Sequence, residues 1–128
     1  MQVAHSTDIG LRTLFVLAGG DNRLTTVAQL AEELQVPVRY LGKIVQRLAA
    51  AGWVTTARGR GGGLHVSPAG RRATVTDVIG AFEEGRRAIN CTDPPCPKEG
   101  SCNLQSMLTQ SDQQFLKSMA DVRIVDLV

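Results

Sequence analysis

The chain contains no stretch of about 18 consecutive apolar residues, the minimum for a membrane-spanning helix. Its N-terminus, MQVAHSTDIGLRTLF, has no basic segment followed by an uninterrupted apolar one, which argues against a signal peptide. We therefore expect a cytoplasmic protein with no membrane partner, in which thiols stay reduced. Aromatic residues make up only 4% of the chain, so the core must be built mainly from Leu, Val, Ile and Ala.

Groupings typical of catalysis are also missing. The sequence has no paired carboxylates, Ser–His pair or Cys–His pair at a recognisable spacing. The glycine-rich segment Arg58–Gly63 lacks the Lys-Ser/Thr ending of a phosphate-binding loop, and strand-forming residues flank it on both sides. We therefore predict that the protein is not an enzyme and that these glycines do not bind a nucleotide.

Acidic residues are absent from residues 34–73, although this segment holds seven basic residues. Before it, two basic residues stand against four acidic ones, and after it five stand against eight. A solvated basic face is one explanation, but a polyanionic partner explains the segregation better. The seven basic residues are Arg39, Lys43, Arg47, Arg58, Arg60, Arg71 and Arg72.

Helical periodicity predicts three helices in the first fifty residues. The first runs from a cap at Ser6 or Thr7 to about residue 18, where Gly-Gly-Asp-Asn interrupts it. The second opens with the capping-box pattern Thr-Val-Ala-Gln at residues 26–29 and ends near Leu34. The third begins at Pro37, whose fixed φ suits a first helical turn.

The third predicted helix is amphipathic. Its apolar residues recur at the helical spacing i, i+3, i+4, i+7, namely Leu41, Ile44, Val45 and Leu48. Its opposite face is polar and basic, with Arg39, Lys43, Gln46 and Arg47. Two short helices joined by a tight turn, the second basic outside, predict a helix-turn-helix. The alternative is an ordinary helical hairpin in a bundle.

A β-hairpin is predicted directly after these helices. Residues 53–57 and 64–67 have strand-forming composition, and Arg58–Gly63 lies between them as a flexible tip with two arginines. A basic hairpin beside a recognition helix is the expected form of a wing.

The remaining sequence predicts a fourth helix from Thr74 to Glu84 and a long amphipathic helix from Asn103 to about Asp121. The long helix has little chain of its own to pack against, so we interpret it as a dimerisation arm. The alternative is that it packs back on the parent domain. We thus predict a mainly α fold with a small β-hairpin: a winged helix-turn-helix DNA-binding domain in residues 1–84, and a cysteine loop and dimerisation helix in residues 85–128.

All three cysteines, Cys91, Cys96 and Cys102, lie in one loop that three prolines keep irregular. An odd number cannot pair completely in disulfides. Their C-x4-C-x5-C spacing contains no C-x-x-C pair and no clear fourth ligand, so it fits a structural zinc site poorly. Soft thiolates on an irregular loop suit an iron–sulfur cluster better. Three reduced, unliganded thiols are the alternative.

Together these features resemble the winged-helix iron–sulfur repressors. The resemblance covers essentially the whole chain: the N-terminal STDIGLRTLFVLA, the winged helix-turn-helix, the wing RGRGGGLHVS, and C-x4-C-x5-C before a long helix. It implies a homodimeric DNA-binding repressor on a roughly palindromic operator, with a [4Fe–4S] cluster; [2Fe–2S] is the alternative. In the NsrR branch it further implies nitric oxide as the signal, with nitrosylation weakening operator binding.

The fourth cluster ligand separates the branches of that family. The IscR branch has a His three residues after the third Cys, where this chain has Gln105. The NsrR branch implies an aspartate near the start of the first helix, contributed by the partner subunit, and Asp8 stands there. On the residues alone, Asp8 is a helix-start acid favoured by the helix dipole. His5, Asp93 and Glu99 are competing ligands.

The predicted DNA contacts come from three elements. At the start of the second helix, Thr25 and Thr26 are expected to contact phosphate through hydroxyl and backbone N–H groups. In the third helix, Arg39, Tyr40 and Lys43 are expected to reach major-groove edges, with Gln46 and Arg47 nearer the DNA backbone. In the wing, Arg58 and Arg60 are expected in the minor groove and His65 at a phosphate.

Three rival functions stay open. The first keeps the fold but senses redox state or iron availability, with a [2Fe–2S] or labile cluster. The second is a small redox enzyme or electron carrier, against which the acid-free segment argues. The third is a metal-free winged-helix interaction module whose thiols are idle.

Overall fold

Three helices and a β-hairpin account for the first half of the computed structural model, which describes residues 1–128. The predicted mainly α fold with a small hairpin is confirmed, and no helix is long and apolar enough to cross a membrane. The elements are α1 (His5–Gly19), α2 (Val27–Leu34), α3 (Val38–Ala50), β1 (Val54–Ala57), β2 (Gly63–Val66), α4 (Pro68–Arg72), α5 (Val75–Phe82), α6 (Asn103–Ser118) and a final 3₁₀ turn (Ile124–Leu127).

Helix α1 begins earlier than predicted and has no side-chain cap of its own. Its N-cap is Ala4, so Ser6 and Thr7 lie inside the helix and the predicted cap is wrong. The acceptor comes from Glu83, just after α5: its Oε1 accepts from the Ala4 N–H, and from the Thr7 hydroxyl at 2.8 Å. A carboxylate distant in the sequence therefore accepts a backbone N–H at the start of α1, as a local N-cap side chain usually does.

Helices α2 and α3 form the predicted helix-turn-helix pair. The capping box is present, because Thr26 Oγ1 accepts from the Gln29 N–H at 3.1 Å and Gln29 Oε1 accepts from the Thr26 N–H at 3.0 Å. Gln35 takes the left-handed conformation that ends α2, with φ of 54°, and Pro37 stands at the N-cap of α3. All four apolar residues predicted for the inner face of α3 are buried.

The hairpin is fastened to the turn before α2. Strands β1 and β2 pair antiparallel, with Val54 opposite Val66 and Thr56 opposite Leu64. Thr25 adds a bridge on the other side of β2: its N–H donates to Leu64 O at 3.0 Å, and its carbonyl accepts from the Leu64 N–H at 2.8 Å. A Cβ on Gly63 would lie 3.0 Å from the Thr25 carbonyl oxygen, so this close approach favours glycine.

Helix α4 is an element that the sequence reading missed. The Ser67 hydroxyl donates to Gly52 O at 2.6 Å and accepts from the Gly70 N–H at 3.0 Å, which caps the helix directly after β2. Helix α5 opens with a second capping box, between Thr74 and Asp77, and ends at Phe82, two residues before the predicted end.

The end of the chain returns to the N-terminal domain. None of the residues of α6 is buried, and α6 ends at Ser118 rather than near residue 121. Beyond it, the Val75 N–H donates to Val122 O at 2.9 Å and the Ile124 N–H donates to Ala73 O at 2.8 Å. Ile124 is fully buried in the main hydrophobic core. The segment assigned to a second unit, residues 85–128, thus ends inside the core of the first.

We predict that Ile124→Ala lowers the free energy of unfolding by about 2–5 kcal/mol, since it leaves a cavity in that core. Leu127→Ala is the matched control: Leu127 is 53% exposed, and its loss is expected to stay within about 0.5 kcal/mol. Urea unfolding of both variants measures the difference. Equal effects would mean that the terminal segment is not part of the core.

Candidate DNA-reading surface and cysteine loop

The outer face of α3 presents polar groups that are free to bind another molecule. Arg39, Lys43 and Gln46 are exposed. Arg39 and Lys43 take part in none of the three ion pairs of the chain, which join other residues. Their positive charge is therefore uncompensated by any acid in contact, as a surface that meets phosphate requires.

Tyr40 is placed differently from its neighbours on α3. Its ring stacks on the ring of His5 at the start of α1, with centroids 5.5 Å apart and planes 15° from parallel. Tyr40 is half-buried and packs against the core. The same stacking occupies one face of His5, a residue considered as a cluster ligand. A base contact by Tyr40 stays a prediction.

Arg47 is turned away from the outer face of α3. One terminal nitrogen donates to Ala81 O at 3.1 Å and to Phe82 O at 3.3 Å, and the guanidinium carbon lies 4.0 Å from the centroid of the Phe82 ring. Its contact with the DNA backbone stays a prediction, while the structure gives Arg47 an intramolecular role. The sequence did not reveal this because the partner carbonyls lie more than 30 residues away.

The backbone groups expected to bind phosphate near α2 are already occupied. The Thr25 N–H donates to Leu64 O and the Thr26 N–H donates to Gln29 Oε1. Only the hydroxyl groups of the two threonines remain for the predicted phosphate contacts, and the Thr26 hydroxyl also accepts the Gln29 N–H. The phosphate contacts of these two residues stay a prediction, with their hydroxyl groups as the donors that have no acceptor within the chain.

The wing tip carries Arg58 and Arg60 on exposed backbone. Gly59 and Gly61 have φ angles of 92° and 71°, which favour glycine and let the tip turn tightly. Behind the tip, His65 is half-buried, and its Nδ1 is buried without a hydrogen-bond partner. The wing thus offers two free cations and one unused imidazole nitrogen, and its contacts with DNA stay predictions.

Arg71 is a second basic residue that serves the fold. Its guanidinium donates to Ala18 O at 3.0 Å and to Asn22 Oδ1 at 3.1 Å, which satisfies a carbonyl at the C-terminal end of α1. The basic residues of segment 34–73 therefore fall into two groups. Arg47 and Arg71 bond to carbonyl groups of the fold, whereas Arg39, Lys43, Arg58 and Arg60 form no ion pair.

The three cysteines are all unpaired, and they differ in exposure. Cys91 is 7% exposed, whereas Cys96 and Cys102 are half-buried. The Cys96 N–H donates to Cys91 O at 2.9 Å, which closes a turn between the first two cysteines. Asn90 supports this turn, since its Oδ1 accepts from the N–H groups of Thr92 and Asp93. Asp93 therefore lies within the turn that joins the first two cysteines.

The donor set fits an iron–sulfur cluster, because three free thiols lie within a 12-residue loop and no disulfide competes for them. The chain by itself does not gather three metal-binding side chains at one point. Cys91 lines a surface concavity with Arg87 and Glu99, while Cys102 lines a different one at the start of α6. Of the competing ligands, Glu99 thus shares a concavity with Cys91, and Asp93 lies in the turn between Cys91 and Cys96.

Asp8 is held by a neighbour on its own helix. Arg12 Nε donates to Asp8 Oδ1 at 2.8 Å, and the two side chains are 58% and 39% exposed. The hydrogen bond with Asp8, together with its negative charge, raises the pKa of Arg12 above its usual value. The carboxylate is thus partly exposed and paired with a cation that can be exchanged for another.

Glu83 is the functional candidate that sequence reasoning missed. It is only 8% exposed, holds the start of α1, and pairs with Arg86 through Oε2 at 3.2 Å. It therefore connects the helix of Asp8 to the segment that leads into the cysteine loop. The sequence contains a weak indication of this role. An acid at the C-terminal end of a helix is disfavoured by the helix dipole, so Glu83 is expected to be stabilised by a partner elsewhere in the chain.

Comparisons with known proteins agree over the whole chain. Residues 3–128 match the Rrf2 family model, that of an iron-dependent transcriptional regulator. The chain is 35% identical over 132 residues to the HTH-type transcriptional repressor NsrR of Streptomyces coelicolor, covering 100% of this chain and 88% of that protein. IscR of T. potens has a similar structure, with a TM-score of 0.74 and 19% identity over 99% of this chain and 85% of that one. CymR, the global cysteine regulator of B. subtilis, has a TM-score of 0.73 and 21% identity, over 99% and 95%.

We predict that Arg58→Ala and Arg39→Ala affect DNA binding in different ways. Losing Arg58 should weaken binding to all sequences and reduce the slope of log K against log salt by about 0.9, the value for one phosphate contact. Losing Arg39 should reduce discrimination between operator and mismatched DNA by about 1–3 kcal/mol at its base pair. Binding titrations at several salt concentrations, on operator and random duplexes, test both. The same pattern for the two variants would refute the assigned roles.

Proposed function

The chain belongs to the Rrf2 family of DNA-binding transcriptional regulators, as a repressor of the NsrR type, and we propose that nitric oxide weakens its operator binding through a [4Fe–4S] cluster. The observation that carries this proposal is the set of three unpaired cysteines in one loop. Three free thiols within a 12-residue loop supply the soft ligands that an iron–sulfur cluster takes.

The proposed operator contacts use the exposed residues of α3 and the wing. Arg39, Lys43 and Gln46 lie on the outer face of α3, and Arg58 and Arg60 lie at the wing tip. We propose that two chains bind a roughly palindromic operator with half-sites about one helical turn, ~34 Å, apart.

Helix α6 is the proposed dimerisation element. It has no buried residue, and Leu104 and Met107 are 58% and 65% exposed. The end of α6 packs back on the core through Phe115 and Leu116, so the exposed apolar side chains lie in its first two turns, where a second copy would stabilise them by covering them.

The proposed cluster ligands are Cys91, Cys96 and Cys102 of one chain and Asp8 of the partner subunit. When bound, the cluster supplies iron that reacts with nitric oxide. A carboxylate is a harder ligand for this iron than a thiolate, so the position of Asp8 is the most exchangeable of the four. Arg12 already pairs with Asp8, and it offers the carboxylate an alternative partner within its own helix.

The fold provides a route from the ligand positions to DNA. Asp8 lies on α1, and the start of α1 is bonded to Glu83 directly after α5. Residues 84–90 lead from there to Cys91. A change in the bonding of Asp8 or of the cysteine loop therefore acts on helices that pack behind α3.

The proposal is tested by purifying the protein without oxygen and titrating nitric oxide during an operator binding assay. We expect the operator affinity to fall as nitric oxide reacts, and we expect iron and sulfide in the purified protein. The control is Cys91→Ala, whose operator affinity should not respond to nitric oxide. Unchanged affinity of the wild-type protein after complete reaction would refute nitric oxide sensing.

The role of Asp8 is tested separately. Asp8→Ala is expected to accelerate loss of iron from the anaerobic protein by at least about tenfold, as for other lost metal-site partners. Asp21→Ala removes an exposed acid of the same charge beyond the end of α1, and it should lose iron at the wild-type rate. Iron release is followed with a coloured chelator. Identical rates for the two variants would exclude Asp8 as a ligand.

Iron availability is the second candidate signal, favoured by the iron-dependent character of the matching family. On this alternative, removing iron with a chelator changes operator affinity while nitric oxide has no additional effect. A [2Fe–2S] or labile cluster would accompany it, and the visible absorption of the anaerobic protein distinguishes the two cluster types.

A further inference from the structure

Arg47 differs from the other basic residues of α3 in what it contacts. Its guanidinium bonds to the carbonyl oxygens of Ala81 and Phe82, the last two residues of α5, and lies 4.0 Å from the centroid of the Phe82 ring. The carbonyls of a final helical turn have no partner within the helix and carry the negative end of its dipole. Arg47 supplies both a hydrogen-bond donor and a positive charge at this point.

The Phe82 ring also lies against α1. A Cβ built on Gly10 would lie 3.0 Å from Phe82 Cζ and within 3.3 Å of two further ring carbons. The ring therefore lies directly against the helix backbone at Gly10, and it is only 8% exposed. One aromatic ring thus contacts α1 at Gly10 and the cation of α3 at Arg47.

These contacts join three helices at one point. The face of an aromatic ring attracts a guanidinium, and the planar group can bond carbonyl oxygens at the same time. A lysine ammonium at this position keeps the charge, but it has neither the planar face nor the forked set of donors. The arrangement is therefore specific to arginine, although its position on the polar side of α3 is also expected for a DNA contact.

We propose that Arg47 is a positioning residue: with Phe82 it fixes the recognition helix α3 against α1 and α5, and it sets operator affinity without touching DNA. The proposal rests on the function proposed above only in using operator binding as one readout. Arg47, which the sequence alone predicts to contact DNA, is thereby given a role in holding the helices together.

The test compares Arg47→Lys, Phe82→Leu and the double variant in the anaerobically purified full chain, with Lys43→Gln as the surface comparator. We expect Arg47→Lys to weaken operator binding about tenfold, equivalent to about 1.4 kcal/mol. Arg47→Gln, which removes the charge, should leave the salt slope unchanged, because Arg47 binds no phosphate. Phe82→Leu should weaken binding similarly, and the double variant should lose little more than either single one, because both remove the same contact. Lys43→Gln should instead reduce the salt slope by about 0.9.

Two results would overturn the proposal. If Arg47→Lys binds operator as the wild type does, the residue acts through its charge alone. If Phe82→Leu leaves affinity unchanged while Arg47→Lys lowers it, the ring takes no part in positioning α3. Thermal unfolding of each variant identifies any that fails to fold, and Arg47→Lys changes an exposed side chain, so its result remains decisive.

A DNA-free measurement separates this inference from the proposed function. Amide hydrogen exchange of the wild type and of Arg47→Lys reports the local stability of α3 and of the end of α5. We expect faster exchange in the last turns of both helices in Arg47→Lys, and unchanged exchange in α2. If the wild type fails to bind an operator, the proposed function is wrong, and the exchange rates still decide whether Arg47 holds the helices together. Equal rates in the two proteins would refute the positioning role.

Discussion

The buried carboxylate of Glu83 is the contact on which the arrangement of the helices depends. A charged group with 3% of its side chain exposed is costly to bury unless its oxygens are bonded. Glu83 meets this condition with the Ala4 N–H, the Thr7 hydroxyl and the Arg86 guanidinium. Since α1 has no side-chain cap of its own, this carboxylate bonds its first turn to the residue that follows α5.

The residues proposed to take part in signalling lie close to Glu83, in space or along the chain. Asp8 lies on α1 directly after Thr7, which is bonded to Glu83, and the cysteine loop begins a few residues after Arg86. On the other side, Arg47 binds the two carbonyls that precede Glu83. The short segment from Ala81 to Glu83 thus bonds to α1 and α3, and the chain continues from it to the cysteines. The cysteine loop is therefore connected to α3 through a segment of only about ten residues, from Ala81 to Cys91.

The elements found correctly from the sequence are those specified by nearby residues. The capping box of Thr26 and Gln29 and the apolar stripe of α3 operate within four to seven residues, and both are present. Two of the missed features depend on distant partners: the Glu83 cap of α1, and the burial of Ile124 against residues 73–75 and α1. Single-sequence patterns hold no information about contacts at such separations. Helix α4 is different, because its cap is the local contact between Ser67 and Gly70. The cysteines, by contrast, were found from the sequence because all three lie in one 12-residue loop.

The number of basic residues in segment 34–73 overestimates how many of them are available to contact DNA. With no carboxylate between residues 34 and 73, its arginines have no local partner to pair with, so the nearest negative groups include the carbonyl ends of helices. Arg47 occupies the end of α5, and Arg71 occupies the end of α1. The absence of acids therefore serves two purposes: it leaves the outer face of α3 and the wing positive, and it frees two arginines to stabilise the helices that support that face. Of these two arginines, only Arg47 belongs to α3. It alone therefore links the helix proposed to read DNA to the end of α5.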